Sequence, residues 1–362
     1  MTRRSGRQRK RSENASRRKG KVRKQSNRKM DQPLAKLQLD KNRAILEGVS
    51  QPCLIGSPEK TKALDFPALT SSESMIRCPL RSSDAPHEIS PILDKRGRSL
   101  SFIEKHPTLQ PRMRSILLDW LIEVSEAYTL HRQTFYLAQE YFDRFMLTQS
   151  NIEKGILQLI GVTCLFIASK MEESSPPKLS DMVYVTAGTY FEEEVLQMEL
   201  IILKELQWNL CPETLVSWLQ VYFQLASMDT HSDLLEPHFP VDVFLLMTRL
   251  LDLCVLDLNS LNFEYRVLAA SVLCHFIPPE TVEEVSGLPI DALRPCMSWM
   301  APFVDSVGLL GKVTLRDFNN VKTEDRHNIQ THANYMSMLD GASQKMLNGQ
   351  IPTPPSSTEK TH

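Results

Sequence analysis

Apolar residues recur at i, i+3, i+4 and i+7 through most of the chain from about residue 109 to residue 306, the period of helices that bury one face. Broken by short polar connectors, the pattern predicts helices over roughly 109–128, 132–148, 154–173, 178–187 and 190–207. The last of these is expected to open on a capping box, Thr189-x-x-Glu192. Pro212 then begins a second series over roughly 213–227, 240–257, 261–276, 289–306 and 323–340, punctuated by Pro278-Pro279 and Gly287. No segment alternates with period two, so strands are not expected. The expected fold is all-α, two tandem five-helix units over 101–211 and 212–340.

Two helices are apolar beyond the needs of one buried face. Along 113–124, Met113, Ile116, Leu117, Trp120 and Val124 form one stripe, and Leu118, Leu121 and Ile122 form another. One stripe is core; the other is either core too, in a central helix, or a docking surface for a partner's apolar side chains. In 154–173, Leu159, Ile160, Val162, Leu165, Phe166 and Ile167 cover most of the circumference, which suits the centre of a bundle.

Outside the helical region the composition changes. Residues 1–100 are rich in Ser, Pro, Lys and Arg with no sustained apolar period and read as a disordered arm; 341–362 read as a disordered tail. The total charge of −1 conceals an asymmetry: residues 1–30 hold fourteen Lys and Arg against Glu13 alone, a surplus of +13, which leaves −14 on the rest. Clusters such as Arg9-Lys-Arg11 and Arg17-Arg-Lys19 suit nuclear import signals or nucleic-acid contacts, and with no aromatic in the arm to stack on bases import is the stronger reading. The expected location is nuclear, with a cytoplasmic or centrosomal pool. The basic, polar N-terminus lacks the apolar core of a signal peptide, and the longest mostly apolar stretch, 156–169, is shorter than a bilayer span. Seven cysteines, without a Cys-x-x-Cys pair and mostly inside apolar runs, suit reduced core residues.

Catalytic chemistry is not expected. The thirteen glycines never form a Gly-rich loop, which removes phosphate-loop, dinucleotide and kinase-lobe readings. His327 and His332 have no Cys or acid at ligand spacing, so neither metal nor cofactor is expected.

In order along the chain, 113–124, 134–145, 157–173 with its Lys170-x-Glu-Glu, Pro176-Pro-Lys-Leu179 and Met198-Glu199 resemble the box of the kinase-activating cyclins. Asp-Arg-His-Asn-Ile-Gln-Thr-His at 325–332 and the Thr-Pro-Pro tail narrow the resemblance to the E-type, G1/S-specific cyclins, nearer their second paralogue than their first. The resemblance implies two stacked cyclin boxes and a regulatory subunit that binds and allosterically activates a cyclin-dependent kinase, cyclin-dependent kinase 2 or a close relative. From spacing alone, Lys170 snorkelling to solvent and Glu199 on an exposed helix side would account for both charges. The family match instead makes them hydrogen-bonding partners of the kinase backbone, with Leu165, Met171, Leu203 and Trp208 as apolar neighbours.

It also implies a buried pair, Arg114 with Asp143, and a groove for Arg-x-Leu peptides of substrates and inhibitors lined by Met113, Ile116, Leu117, Trp120, Glu123 and Gln158. Thr353-Pro with Ser357 four residues on resembles the phosphodegron that a WD-repeat F-box ubiquitin ligase captures, and Ser57-Pro resembles the family's upstream degron. The chain departs from the family pattern before the first box, where 77–108 contain no Trp but several Pro and Gly97; the N-terminal helix is expected to be short, shifted or missing. A rival class, a transcription-factor-like double cyclin box binding DNA through its basic arm, requires a positive body, and the body is acidic.

Overall fold

The computed structural model describes residues 98–227, 241–308 and 315–349. The basic arm and the positions Ser57, Thr353 and Ser357 lie outside the described residues. Those described are helical, and their β pairing is a single antiparallel bridge between His131 and Ile329.

A short helix α1 (Arg98–Lys105) precedes five helices of a first bundle: α2 (Pro111–Ala127), α3 (Arg132–Thr148), α4 (Leu157–Glu172), α5 (Leu179–Tyr184) and α6 (Glu192–Glu205). The periodicity of the sequence places all five. Every side chain of α4 from Leu157 to Ser169 is buried, and α4 packs on α2, α3, α5 and α6. With the 3-10 turn before it, Lys154–Glu172 is long and apolar enough to cross a membrane, contrary to the length read from 156–169 alone; here it fills the middle of the bundle. Gly161 lets α2 and α4 close in, since a Cβ there would lie 2.9 Å from the Leu117 side chain.

One cap differs from expectation. α6 begins at Glu192, and the free N–H of Phe191 is satisfied by Glu194, 2.8 Å away, while the Thr189 hydroxyl donates to the Thr186 carbonyl.

The second bundle comprises α7 (Leu215–Ser227), α8 (Val241–Leu256), α9 (Tyr265–Leu273), α10 (Pro279–Ser286) and α11 (Ile290–Gly308). Two elements here differ from the sequence expectation. Pro278-Pro279 and Gly287, read as punctuation between helices, are the two ends of α10. A proline in the first turn forfeits no hydrogen bond, and Gly287 closes the helix at φ 65°, its N–H reaching the Glu283 carbonyl. The helix expected over 323–340 is instead a 3-10 turn at Thr323–Asn328, an extended strap through 329–334, and a helix α12 (Tyr335–Gly349) that packs on α2, α8 and α11.

The strap explains why 325–332 is so distinctive a motif. Asp325 Oδ2 lies 3.1 Å from His131 Nε2, and the His327 carbonyl accepts from Arg132. Ile329 is buried beside His131, the Gln330 N–H donates to the Leu130 carbonyl at 2.9 Å, and His332 Nε2 lies 2.7 Å from Asp119. At the centre, Asp252 of α8 accepts from Tyr136 (2.7 Å), Gln330 (2.9 Å) and Tyr335 (2.9 Å), with the Arg132 guanidinium 3.6 Å away. Burial pushes the Asp252 carboxyl upward, against the pull of Arg132 and the three donors. The two bundles and the strap thus share one fully buried polar hub.

His131 carries a pH signature. Its hydrogen bond to Glu173 (2.8 Å), followed by that to Asp325, raises its pKa from 6.5 to about 9 in spite of partial burial. A raised histidine stabilises fully below the unfolded value, and the contribution disappears as pH climbs through the folded one. The melting-temperature gap between wild type and His131→Gln is therefore expected to be widest near pH 6 and to narrow steadily towards pH 9 in scanning calorimetry; a gap that widens over that range would contradict the assignment.

Candidate partner-binding surface

α4 loses its apolar character at its last turn. Lys170, the first exposed residue after thirteen buried ones, carries its ammonium 4.2 Å from the centre of the Phe166 ring and forms an ion pair with Glu199 of α6. Glu199 is buried at 8% exposure, so neither reading of spacing was complete: the two charges the sequence singled out find each other. A carboxylate at that depth requires a cation nearby, and the pair fixes both side chains at the α4–α6 junction.

Exposed apolar side chains stand on the same two elements as this pair, among charged ones such as Glu172 and Lys204. Leu196, Glu199, Leu200 and Leu203 follow i, i+3, i+4 and i+7 on α6, and the outer pair stays in solvent, Leu196 at 44% and Leu200 at 65% exposure. Met171 follows Lys170, and Trp208 projects at 66% exposure from a backbone with φ 58°, after Gln207 at φ 53°. Two successive left-handed non-glycine residues are costly, and they turn the chain sharply out of α6. Leu165 and Leu203, expected as partner-facing, are buried and shape the surface from beneath. The sequence reading did not single out Leu196 and Leu200. The signal for them was present in the sequence: α6, like α2, is apolar on more faces than one core contact consumes.

On α2 the apolar stripes are taken up within the fold. Both stripes of α2 are core: Leu118, Leu121 and Ile122 are buried, and so are Met113, Leu117 and Trp120, because α4 and α12 cover one part of the helix and α8 another. Of the six groove residues, Ile116 and Glu123 are half-exposed and Gln158 is buried. Glu123 Oε1 lies 3.7 Å from His332 Nδ1, so the strap reaches the acidic edge of the site. Of these positions Ile116 and Glu123 reach solvent, while Met113, Leu117 and Trp120 lie in the core beneath them.

Arg114 and Asp143 form the expected pair, bidentate at 2.7 Å for both bonds, and the remaining Arg114 nitrogen donates to the Val255 carbonyl of α8. Ser115, at the neighbouring position, donates to the Leu256 carbonyl at 2.7 Å, so its hydroxyl serves the junction between bundles more than its own helix. In α1 Ser99 and Phe102 are buried, and the Ser99 hydroxyl donates to Asn262 of the 3-10 turn Leu258–Asn262; the rest of the Trp-less flank lies outside the described residues. No group of His, Cys, Asp and Glu able to hold a metal occurs among the described residues.

The profile of the cyclin N-terminal domain matches residues 93–211. The chain is 50% identical over 248 residues to a G1/S-specific cyclin-E1 of Gallus gallus, which covers 68% of this chain and 61% of that protein, less than two thirds of its length. Against a G1/S-specific cyclin-E1 of Rattus norvegicus the identity is 45% over 308 residues, 81% of this chain and 75% of that one. A solved viral cyclin of herpesvirus saimiri aligns over 55% of this chain and 87% of its own, with 19% identity and a TM-score of 0.45. Identity near one half, sustained over so much of two all-helical bundles, leaves one conclusion: the chain belongs to the family of E-type, G1/S-specific cyclins.

Proposed function

We propose that this chain is the regulatory subunit of a cyclin-dependent kinase acting at the G1/S transition, with cyclin-dependent kinase 2 or a close relative as its catalytic partner. The observation that carries the reading is the α4–α6 surface, where an ion pair links helices that also expose Met171, Leu196 and Leu200, with Trp208 exposed just beyond α6. Apolar anchors around a few oriented polar groups are the anatomy of a specific protein interface. A partner helix laid on this surface is held in one position, and in a kinase that helix carries the Glu that must pair with the ATP-positioning Lys. Binding therefore biases the kinase towards its active arrangement without the cyclin contributing a reacting group. Copurification with candidate kinases followed by a histone-kinase assay tests the reading; a chain that captures none of them, or captures one without activating it, contradicts it.

The face of α2 that carries Ile116 and Glu123 serves, in this reading, to recruit Arg-x-Leu substrates and inhibitors, the leucine towards Ile116 and the cation towards Glu123. Because Trp120 is core, truncating it would cost about 3–5 kcal/mol of fold stability and obscure the result. Ile116→Ala with Glu123→Gln probes the exposed positions instead. We expect KM for a substrate carrying Arg-x-Leu to rise several-fold while a short peptide lacking it is phosphorylated normally; an equal loss on both would dismiss the groove.

Turnover belongs to the tail. Phosphate on Thr353 and Ser357 would engage an Arg cluster of an F-box ubiquitin ligase, with Ser57 as a second degron. Thr353→Ala is expected to lengthen half-life in dividing cells by pulse-chase, Ser357→Ala less so, and identical decay of all three chains would remove the tail from the account. The basic arm suits import to the nucleus.

A further inference from the structure

Between the last turn of α4 and the first of α5 runs Ser174-Ser-Pro-Pro-Lys178. Both ends of this loop are tied down. Glu173 accepts from the His131 N–H at 2.8 Å and from the Thr134 hydroxyl at 2.6 Å, and the Lys178 N–H donates to Asp181 at 2.9 Å. Between these anchors Ser174, Ser175 and Pro176 are exposed, as is Lys178. Pro176 restricts Ser175 to extended backbone, the shape in which a substrate segment enters a kinase cleft. The arrangement Ser-Pro-x-Lys presents a hydroxyl, a following proline that offers no N–H, and a cation three residues on. Ser174 has no proline after it.

We propose that Ser175 is a phosphorylation site for proline-directed kinases, and that its phosphate closes the α4–α6 surface to the partner kinase. The second half rests on the reading given under Proposed function. In the reaction the Ser175 hydroxyl oxygen attacks the γ-phosphorus of ATP held by the modifying kinase. The new bond is O–P; the bond from that phosphorus to the bridging oxygen breaks, its electron pair leaving with ADP, and the hydroxyl proton passes to the modifying kinase's carboxylate and then to solvent. Ser175 stands five residues after Lys170, within about 18 Å even if that chain were fully extended. The product places nearly two negative charges next to Glu172 and Glu173, at the edge of a surface whose apolar anchors must shed water to dock. The phosphate has no cation of the α4–α6 pair to itself, since Lys170 is engaged by Glu199.

The 362-residue chain, wild type and Ser175→Ala, is incubated with a purified proline-directed kinase and Mg·ATP and mapped by peptide mass spectrometry. Affinity of each form for the copurifying cyclin-dependent kinase is then measured by titration. We expect phosphate on Ser175, none there in Ser175→Ala, and at least a tenfold weaker affinity for kinase-treated wild type than for kinase-treated Ser175→Ala, which carries the same phosphates at Ser57, Ser90 and Thr353, while the two untreated chains bind alike. Absence of phosphate on Ser175, when a control Ser-Pro-x-Lys peptide is fully modified, overturns the site. Phosphate on Ser175 with unchanged affinity overturns the closure. Should unmodified wild type fail to bind any cyclin-dependent kinase, the functional reading itself falls and the closure with it, whereas the peptide map still decides the site.

Discussion

Exchanging the two charges at the α4–α6 junction, Lys170→Glu with Glu199→Lys, is expected to abolish kinase capture while leaving the chain folded. The pair is internal, so swapping its members preserves the attraction that holds them. What changes is the polarity presented to the partner. Each charge-assisted contact contributes on the order of 1.5–3 kcal/mol, so losing two costs at least about 3 kcal/mol, roughly a hundredfold in affinity. The single substitution Lys170→Ala behaves differently: it leaves a buried carboxylate without its cation and lowers the melting temperature as well as binding. Circular dichroism and titration together separate these outcomes, and a charge-exchanged chain that binds within threefold of wild type would remove the pair from the interface.

The largest effect on stability is expected from Arg114→Ala. Arg114 and Asp143 are both buried, and the same guanidinium bonds Val255 of the second bundle. Burial opposes the Arg114 charge, yet Asp143 outweighs it and holds the group above its usual pKa. Removing one partner of such a pair leaves an uncompensated buried charge and costs about 3–5 kcal/mol. In a chain of this size that corresponds to a fall of roughly 10 °C in melting temperature. Asp143→Asn retains the size but leaves the buried Arg114 charge without its anion, so a comparable loss is expected, whereas replacing both residues by apolar ones of similar volume should recover much of it. A melting temperature within two degrees of wild type for Arg114→Ala would show the pair to be dispensable.

Much of this architecture was legible in the residues. The first bundle follows from period-3.6 spacing, and the depth of α4 follows from an apolar circumference. Charges inside apolar helices marked Lys170 and Glu199 as unusual before their pairing was visible. The reading failed where two physical situations share one local pattern. Pro278-Pro279 ends one helix or starts the next with equal ease, and only packing of Val282 into the second core made it a start. α11 continues through Pro295 and Pro302, which local propensity disfavours; Trp299, edge-on to Phe303 and tilted against Phe263, ties it to the second core. The second stripe of α2 offered the same ambiguity on a larger scale.

The sequence by itself determined the helical class, the family and the identity of the charged and apolar residues on α4 and α6, because hydrophobic period and motif order are properties of neighbours along the chain. Tertiary structure alone decided which apolar faces remain in water. α8 and α12 arrive from more than a hundred residues away to cover α2, while nothing among the described residues covers Leu196, Leu200 and Trp208. The same distance explains the strap: no periodicity in 325–332 could show that Asp325, Gln330 and His332 would meet His131, Asp252 and Asp119. A buried polar group is stable only where its partner is brought to it, and that meeting is made by the fold as a whole.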